Sequence, residues 1–235
     1  MEETFSPLSD ETFRFRCDKD VPCFNECCAK LRLILTPYDI LRLKRRLGLS
    51  SGRFLEQYTE TVFDKQRRFP MVKLRMTSGN GGACPFVSPE GCTVYEDRPV
   101  ACRIYPLGRA YSAVEGRAVQ EKFFVVREAH CLGFREDRQW TLKEWIRHEG
   151  VDEYNAVNDP WAEIVTSNKP LQGGNPTQKH QMFFMASYNI DAFRKFVFQS
   201  KFLDLFHVEP SLKETMAQDD RALLQFAWGW LKFSF

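Results

Sequence analysis

The chain has 235 residues, of which 43% are hydrophobic and 27% charged, with a net charge of +2. That length and balance exclude a core too small to stand without cysteine staples. No apolar run approaches the ~20 residues needed to span a bilayer, so no membrane partner is expected. The opening MEETFSPLSDETFRF has neither a basic n-region nor an apolar h-region, so no secretory signal is expected and the cytoplasm is the default compartment.

Residues 1–29 carry seven acids and three bases and read as an irregular arm. Residues 30–75 carry twelve bases and four acids, a local balance of +8. Such a segment can face an acidic protein partner, or supply counter-charge to a thiolate-rich site. No aromatic-and-basic motif accompanies it, so nucleic acid is not expected as a partner. Within it, LRLIL at 31–35 alternates as a short strand does. Thr36 then caps a helix, Pro37 suits its first position, Asp39 sits in its first turn and Gly48 stops it. Ser50 and Ser51 start a second short helix that runs to Tyr58. PMVKLRM at 70–76 alternates again and predicts a strand.

GNGG at 79–82 reads as a turn. RAYSAV and AVQEKFFVV flank Glu115-Gly116-Arg117 and predict a hairpin. After residue 139, TLKEWIRHEG, DEYNAVNDPWAEIVTSN, the stretch from NPTQKHQ to FLDLF, and DDRALLQFAWGWLKF all space apolar residues as helices do. The aromatics Phe183, Phe184, Tyr188, Phe193, Phe196 and Phe198 read as helical core rather than a cofactor pocket. The apolar tail carries Lys232 and reads as a buried terminal helix. The expected fold is α+β: a cysteine-bearing part of short strands and helices over 1–139, packed on a helical part over 140–235.

The eight cysteines stand in turn-rich, polar text. Cys17, Cys23, Cys27 and Cys28 form one knot, Cys84, Cys92 and Cys102 a second, and Cys131 follows in HCLGF. In a reducing compartment such clusters favour metal over disulfides. No Cys-x-x-Cys occurs, which argues against a zinc ribbon and a thioredoxin-type redox pair. Adjacent side chains diverge in helix and strand, so Cys27 and Cys28 are expected to serve different metals or a multinuclear cluster, or one to be a small buried hydrophobe. Eight thiolates suit two four-cysteine sites, or one cluster with four auxiliary thiols. Phosphate-cradling loops and nucleophile elbows are absent.

The run FRCDKDVPCFNECC, then CPFVSPEGCTVYEDRPVACRIYP, then HCLGF, resembles the YkgJ-type cysteine-cluster family of zinc- or iron-chelating domains over about residues 15–135. All eight cysteines fall on the family's pattern, with Cys17-x5-Cys23 wider than its commonest first spacing. The resemblance implies Cys17, Cys23, Cys27, Cys28, Cys84, Cys92, Cys102 and Cys131 as ligands to a metal or an iron–sulfur cluster. We favour a 4Fe-4S cluster, with zinc as the alternative. A relative, the flagellin lysine N-methylase, implies that methyl transfer or redox chemistry can ride on such a scaffold. Arg98, Arg103 and Tyr105 flank the ligand candidates. Guanidinium groups there can offset cluster charge, or pair with Glu96 and Asp97 instead. The one histidine beside a cysteine, His130, is expected not to ligate. The alternative reading of the whole is a zinc-stabilised interaction module that docks an acidic partner on its basic segment.

Overall fold

The computed structural model describes residues 5–8, 11–63, 68–79, 81–112, 120–167 and 175–234. In chain order come β1 (Phe5–Pro7), β2 (Thr12–Arg14), β3 (Ile34–Leu35), α1 (Pro37–Arg46), α2 (Ser51–Tyr58), β4 (Thr59–Val62) and β5 (Met71–Leu74). The middle holds β6 (Val87–Ser88), β7 (Gly91–Cys92), α3 (Val100–Ile104), β8 (Leu107–Ser112), β9 (Gln120–Val126) and β10 (Gln139–Thr141). The rest is helical: α4 (Leu142–His148), α5 (Val151–Thr166), α6 (Pro176–Tyr188), α7 (Ile190–Gln199), α8 (Phe202–Leu205), α9 (Pro210–Gln218) and α10 (Asp220–Ser234). The fold is α+β, with small antiparallel sheets and a helical C-terminal part. Among the described residues, no helix is long and apolar enough to cross a membrane.

The chain divides into two compact units, each made of two segments: Met1–Leu33 with Arg75–Ala156, and Ile34–Leu74 with Val157–Phe235. All eight cysteines belong to the first.

In the first unit β9 pairs with both β1 and β8, and β2 pairs with β10. The segment expected to be an irregular arm therefore contains two strands. Their partners lie over a hundred residues away, at Phe5↔Val126 and Phe13↔Trp140, so no local pattern reveals them. Phe13, Phe15, Ile104, Leu107, Val125, Trp140, Trp145 and Val151 form one buried cluster, against which Tyr105 and Cys131 pack. The rings of Phe13 and Phe15 meet Trp145 edge-on at 5.7 and 5.6 Å, an arrangement the ring quadrupole favours. The indole N–H groups are satisfied too: Trp140 donates to the Phe15 carbonyl and Trp145 to the Ile104 carbonyl. The expected hairpin is present as β8 and β9, while its tip at 115–117 lies outside the described residues, as does Asn80 of the GNGG turn.

In the second unit β5 lies between β3 and β4. Only Ile34 and Leu35 of the expected 31–35 strand pair, opposite Lys73 and Val72. Helix α1 begins as its sequence dictates: Thr36 accepts from the Asp39 amide, and Asp39 accepts from the Thr36 amide. Ser50 caps α2 by accepting from Arg53. Gly48 takes φ 64°, where a side chain is strained. Phe69 stacks on Phe183 at 4.1 Å, and Phe193 on Trp230 at 5.5 Å. Phe183, Tyr188 and Phe193 of the aromatic stripe are buried in the core, while Phe184, Phe196 and Phe198 are half-buried. The tail is the expected helix, with Leu223, Leu224, Ala227, Trp228, Trp230 and Leu231 buried.

Part of the basic 30–75 segment is paired inside this unit. The Lys44 ammonium, only 8% exposed, lies 2.9 Å from Asp191 and 3.2 Å from Asp220. Asp220 also pairs with Arg45 and Arg194. Lys73 pairs with Glu60, and Arg68 donates to the carbonyls of Ile164 and Ser167.

Candidate metal centre

The first knot hangs from the core by its N-terminal end. Phe15 is buried, its amide donates to the Arg138 carbonyl, and the Arg16 amide donates to the Gly133 carbonyl. Cys17 follows at once, so it starts from a fixed point. Overlapping turns carry the chain on: Val21 donates to Asp18, Phe24 to Val21, Glu26 to Cys23 and Cys28 to Asn25. Val21 is buried and pins the loop. Asn25 adopts φ 69°, a left-handed conformation that asparagine tolerates. A 3₁₀ turn, Glu26–Cys28, then presents the paired cysteines.

The second knot is fastened to the first through backbone and side chain. The Cys84 amide donates to the Cys28 carbonyl at 2.7 Å, and Lys30 donates to the Gly82 carbonyl at 2.8 Å. Asn25 Nδ2 donates to the Ser88 carbonyl at 3.0 Å. Strands β6 and β7 form a tight hairpin that pairs Val87 with Cys92. At its turn Gly91 takes φ 122°, and a Cβ there would stand 3.1 Å from the Phe24 ring. Glycine is therefore what lets Phe24 pack beside Cys92. Cys102 sits on α3. Cys131 follows β9, and Leu132 beside it donates to Cys23 Sγ at 3.2 Å. A Cβ on Gly133 would lie 2.6 Å from both the Arg16 carbonyl and the Phe15 ring, so this close approach also requires glycine.

The thiols of both knots influence one another. Burial pushes the Cys17 thiol up to about 11, and the neighbouring Cys27, Cys131 and Cys23 push it further that way. Cys27 is pushed up chiefly by the Cys28 side chain that engages it, then by burial and by the Glu128 carboxylate. Cys84 is raised by burial and by Cys92 and Cys27, against a pull downward from the Phe86 amide. Burial raises Cys131, while the Tyr105 hydroxyl and the Gly133 amide pull it down. Tyr105 itself is pushed up, first by burial and then by Cys131. The common cause is simple: thiolates crowded together in a half-dry region disfavour each other's charge. A divalent cation reverses that sign, because it supplies the missing counter-charge.

Cys27 and Cys28 do not diverge as expected. Within the 3₁₀ turn the Cys28 side chain engages Cys27, and neither is fully buried. The expected helpers are placed differently from one another. The Tyr105 hydroxyl is buried against the Cys131 thiol. Arg98 and Arg103 direct their guanidinium groups to Glu149 and to the Glu96 carbonyl. His130 contacts Glu128 at 3.4 Å. Sequence reading passed over Glu128, Gly133 and Glu149. Of these, only Gly133 carried a local signal, a glycine two residues after a cysteine.

The donor chemistry suits a thiophilic metal: soft sulfurs, several half-buried, some already accepting amide hydrogen bonds. Among the described residues, no three His, Cys, Asp or Glu side chains stand close enough as placed to hold an ion. Ligation requires the sulfurs to close in, which is usual where metal binding is coupled to folding.

An all-thiol donor set of this kind on an α+β scaffold defines a class, that of the cysteine-rich metal-chelating domains. Residues 16–132 match the CxxCxxCC family model, described as a “putative zinc- or iron-chelating domain”, and this chain belongs to that family. The motif in the family's name places two residues between each of its first three cysteines and none between the last two. Here five residues separate Cys17 from Cys23, and three separate Cys23 from Cys27. No curated protein and no solved structure matches the chain.

Proposed function

We propose that this protein holds a cysteine-ligated iron centre, an iron–sulfur cluster in the leading form. The observation that carries the reading is geometric: the Cys84 amide donates to the Cys28 carbonyl and the Leu132 amide beside Cys131 donates to Cys23 Sγ, so cysteine segments from three stretches of chain are fastened together. Thiols drawn from three separated stretches of chain have no packing reason to gather. Amide donors on Cys23, Cys84 and Cys131 support the same reading, because N–H···S bonds stabilise thiolate and tune cluster potential. A reducing compartment, the cytoplasm, would keep these thiols free to ligate.

In this reading Cys17, Cys23, Cys27, Cys28, Cys84, Cys92, Cys102 and Cys131 are the ligand pool. When bound, the iron centre supplies one-electron redox or Lewis-acid chemistry. Tyr105 holds its hydroxyl against the Cys131 sulfur, and Glu128 places a carboxylate near Cys27.

The test is anaerobic purification followed by iron, zinc and acid-labile sulfide per chain, with the visible spectrum. Brown protein with near-equal iron and sulfide is the expected result. Iron without sulfide would replace the cluster with a thiolate-bound iron site. Colourless protein with one or two zinc ions would overturn the proposal in favour of a zinc-stabilised module.

A further inference from the structure

One glutamate, far from every cysteine in sequence, holds both ends of the segment that carries Cys102. Glu149 follows α4 and is 7% exposed. Its carboxylate takes the Arg98 guanidinium. Its backbone carbonyl takes Arg103 Nη1 at 2.7 Å. Arg98 precedes α3 and Arg103 lies within it, so Cys102 stands between two anchored arginines.

The clamp is braced on every side. Arg98 stacks on the Tyr95 ring at 3.7 Å and also donates to the Tyr95 carbonyl. Arg103 lies over the Tyr154 ring at 5.0 Å, and the Tyr154 hydroxyl donates to the Arg98 carbonyl at 3.2 Å. The second carboxylate oxygen of Glu149 lies 3.0 Å from His148 Nδ1. α3 has five residues and a proline at its N-cap without a side-chain bond. So short a helix does not hold itself in place.

We infer that Glu149 is a positioning residue for Cys102: it fixes the loop and helix from Tyr95 to Ile104, so that this thiol meets the metal already oriented. The inference rests on the metal-binding reading above. An ion pair that served stability alone would lower the unfolding temperature and leave Cys102 no different from the other thiols. A positioning residue acts on Cys102 selectively.

The experiment uses the full chain and two variants, Glu149→Gln and Arg98→Gln, which open the same pair from opposite sides. Glu149→Gln keeps the backbone carbonyl for Arg103 and removes only the charge. In metal-free protein, iodoacetamide alkylation of each cysteine is followed by mass spectrometry. Cys102 should react at least about tenfold faster in both variants, the scale set by one lost charge-assisted hydrogen bond. Cys84 and Cys131 should keep their wild-type rates. On titration with cobalt(II), both variants should lose thiolate-to-cobalt charge-transfer intensity relative to wild type, while the selective acceleration at Cys102 is the signature that a purely structural role would not give. Equal acceleration at all cysteines, or none at Cys102, overturns the inference. Wild-type protein that takes up no cobalt(II) would overturn the metal reading and the purpose assigned to the clamp, while the alkylation rates would still report whether the clamp exists.

Discussion

The two compact units are held together by different means. The second is a helical core of stacked aromatics, built round the partnered ammonium of Lys44. Its order comes from burial, which is spread over many contacts and tolerates the loss of one. The cysteine half of the first unit is held by turns, backbone hydrogen bonds and close approaches at Gly91 and Gly133. Its thiols, all half-buried except the exposed Cys17, are mutually repulsive once ionised. The comparison teaches where each finds its order: the helical unit in apolar area, and the cysteine region in backbone hydrogen bonds and close approaches, with the apolar cluster of Phe13, Trp140 and Trp145 beneath it.

Removing the metal should therefore separate the units most sharply. For structural thiolate sites the binding free energy is on the order of 10 kcal/mol and is drawn on in folding. Hydrogen exchange over 17–30 and 84–104 should rise strongly when loaded protein is treated with a chelator, while 176–231 keeps its protection. Equal loss in both regions would break the comparison. A core cut in the second unit should do the reverse. Phe183→Ala removes a fully buried ring stacked on Phe69 and should cost about 4 kcal/mol in denaturant unfolding. Metal content per chain should stay unchanged.

Gly133→Ala sharpens the contrast at a single methyl group. The new Cβ meets backbone and ring at 2.6 Å, so the Cys131 loop must shift. The expected cost is about 2 kcal/mol, measured by urea titration, with faster alkylation of Cys131. The smallest effect is electrostatic. Burial pushes the Asp191 and Asp220 carboxyls up, but Lys44 and its hydrogen-bonding neighbours outweigh it and hold both below the usual 3.8. A carboxyl depressed in the folded state stabilises above its unfolded value and loses that contribution as pH falls through the folded one. The urea midpoint of the second unit should thus be level from pH 7 to about 4 for these groups and decline below. Asp191→Asn should flatten part of that decline.

Much of the second unit was legible because its signals are local. Thr36, Pro37 and Asp39 spell the start of α1 within four residues, and Ser50 does the same for α2. The cysteine unit was legible in its chemistry and much less in its shape. Eight thiols announce a metal, but Phe13 opposite Trp140, or Asn25 on Ser88, are meetings that no periodicity encodes. α3 and α9 were missed outright. The first is one short turn after a proline, and the second buries only Met216. In the basic segment, Lys44 and Arg45 pair with Asp191, Asp219 and Asp220, acids that stand more than a hundred residues along the chain.

The bridge between Ala29 and Ala83, with the bonds from Lys30 to Gly82 and from Cys84 to Cys28, brings two distant points of the chain into contact. Everything between them is an excursion that leaves and returns through one doorway. The consequence is mechanical: Cys28 and Cys84 are themselves partners in that contact, so a slip of either strand there displaces a cysteine of both knots at once.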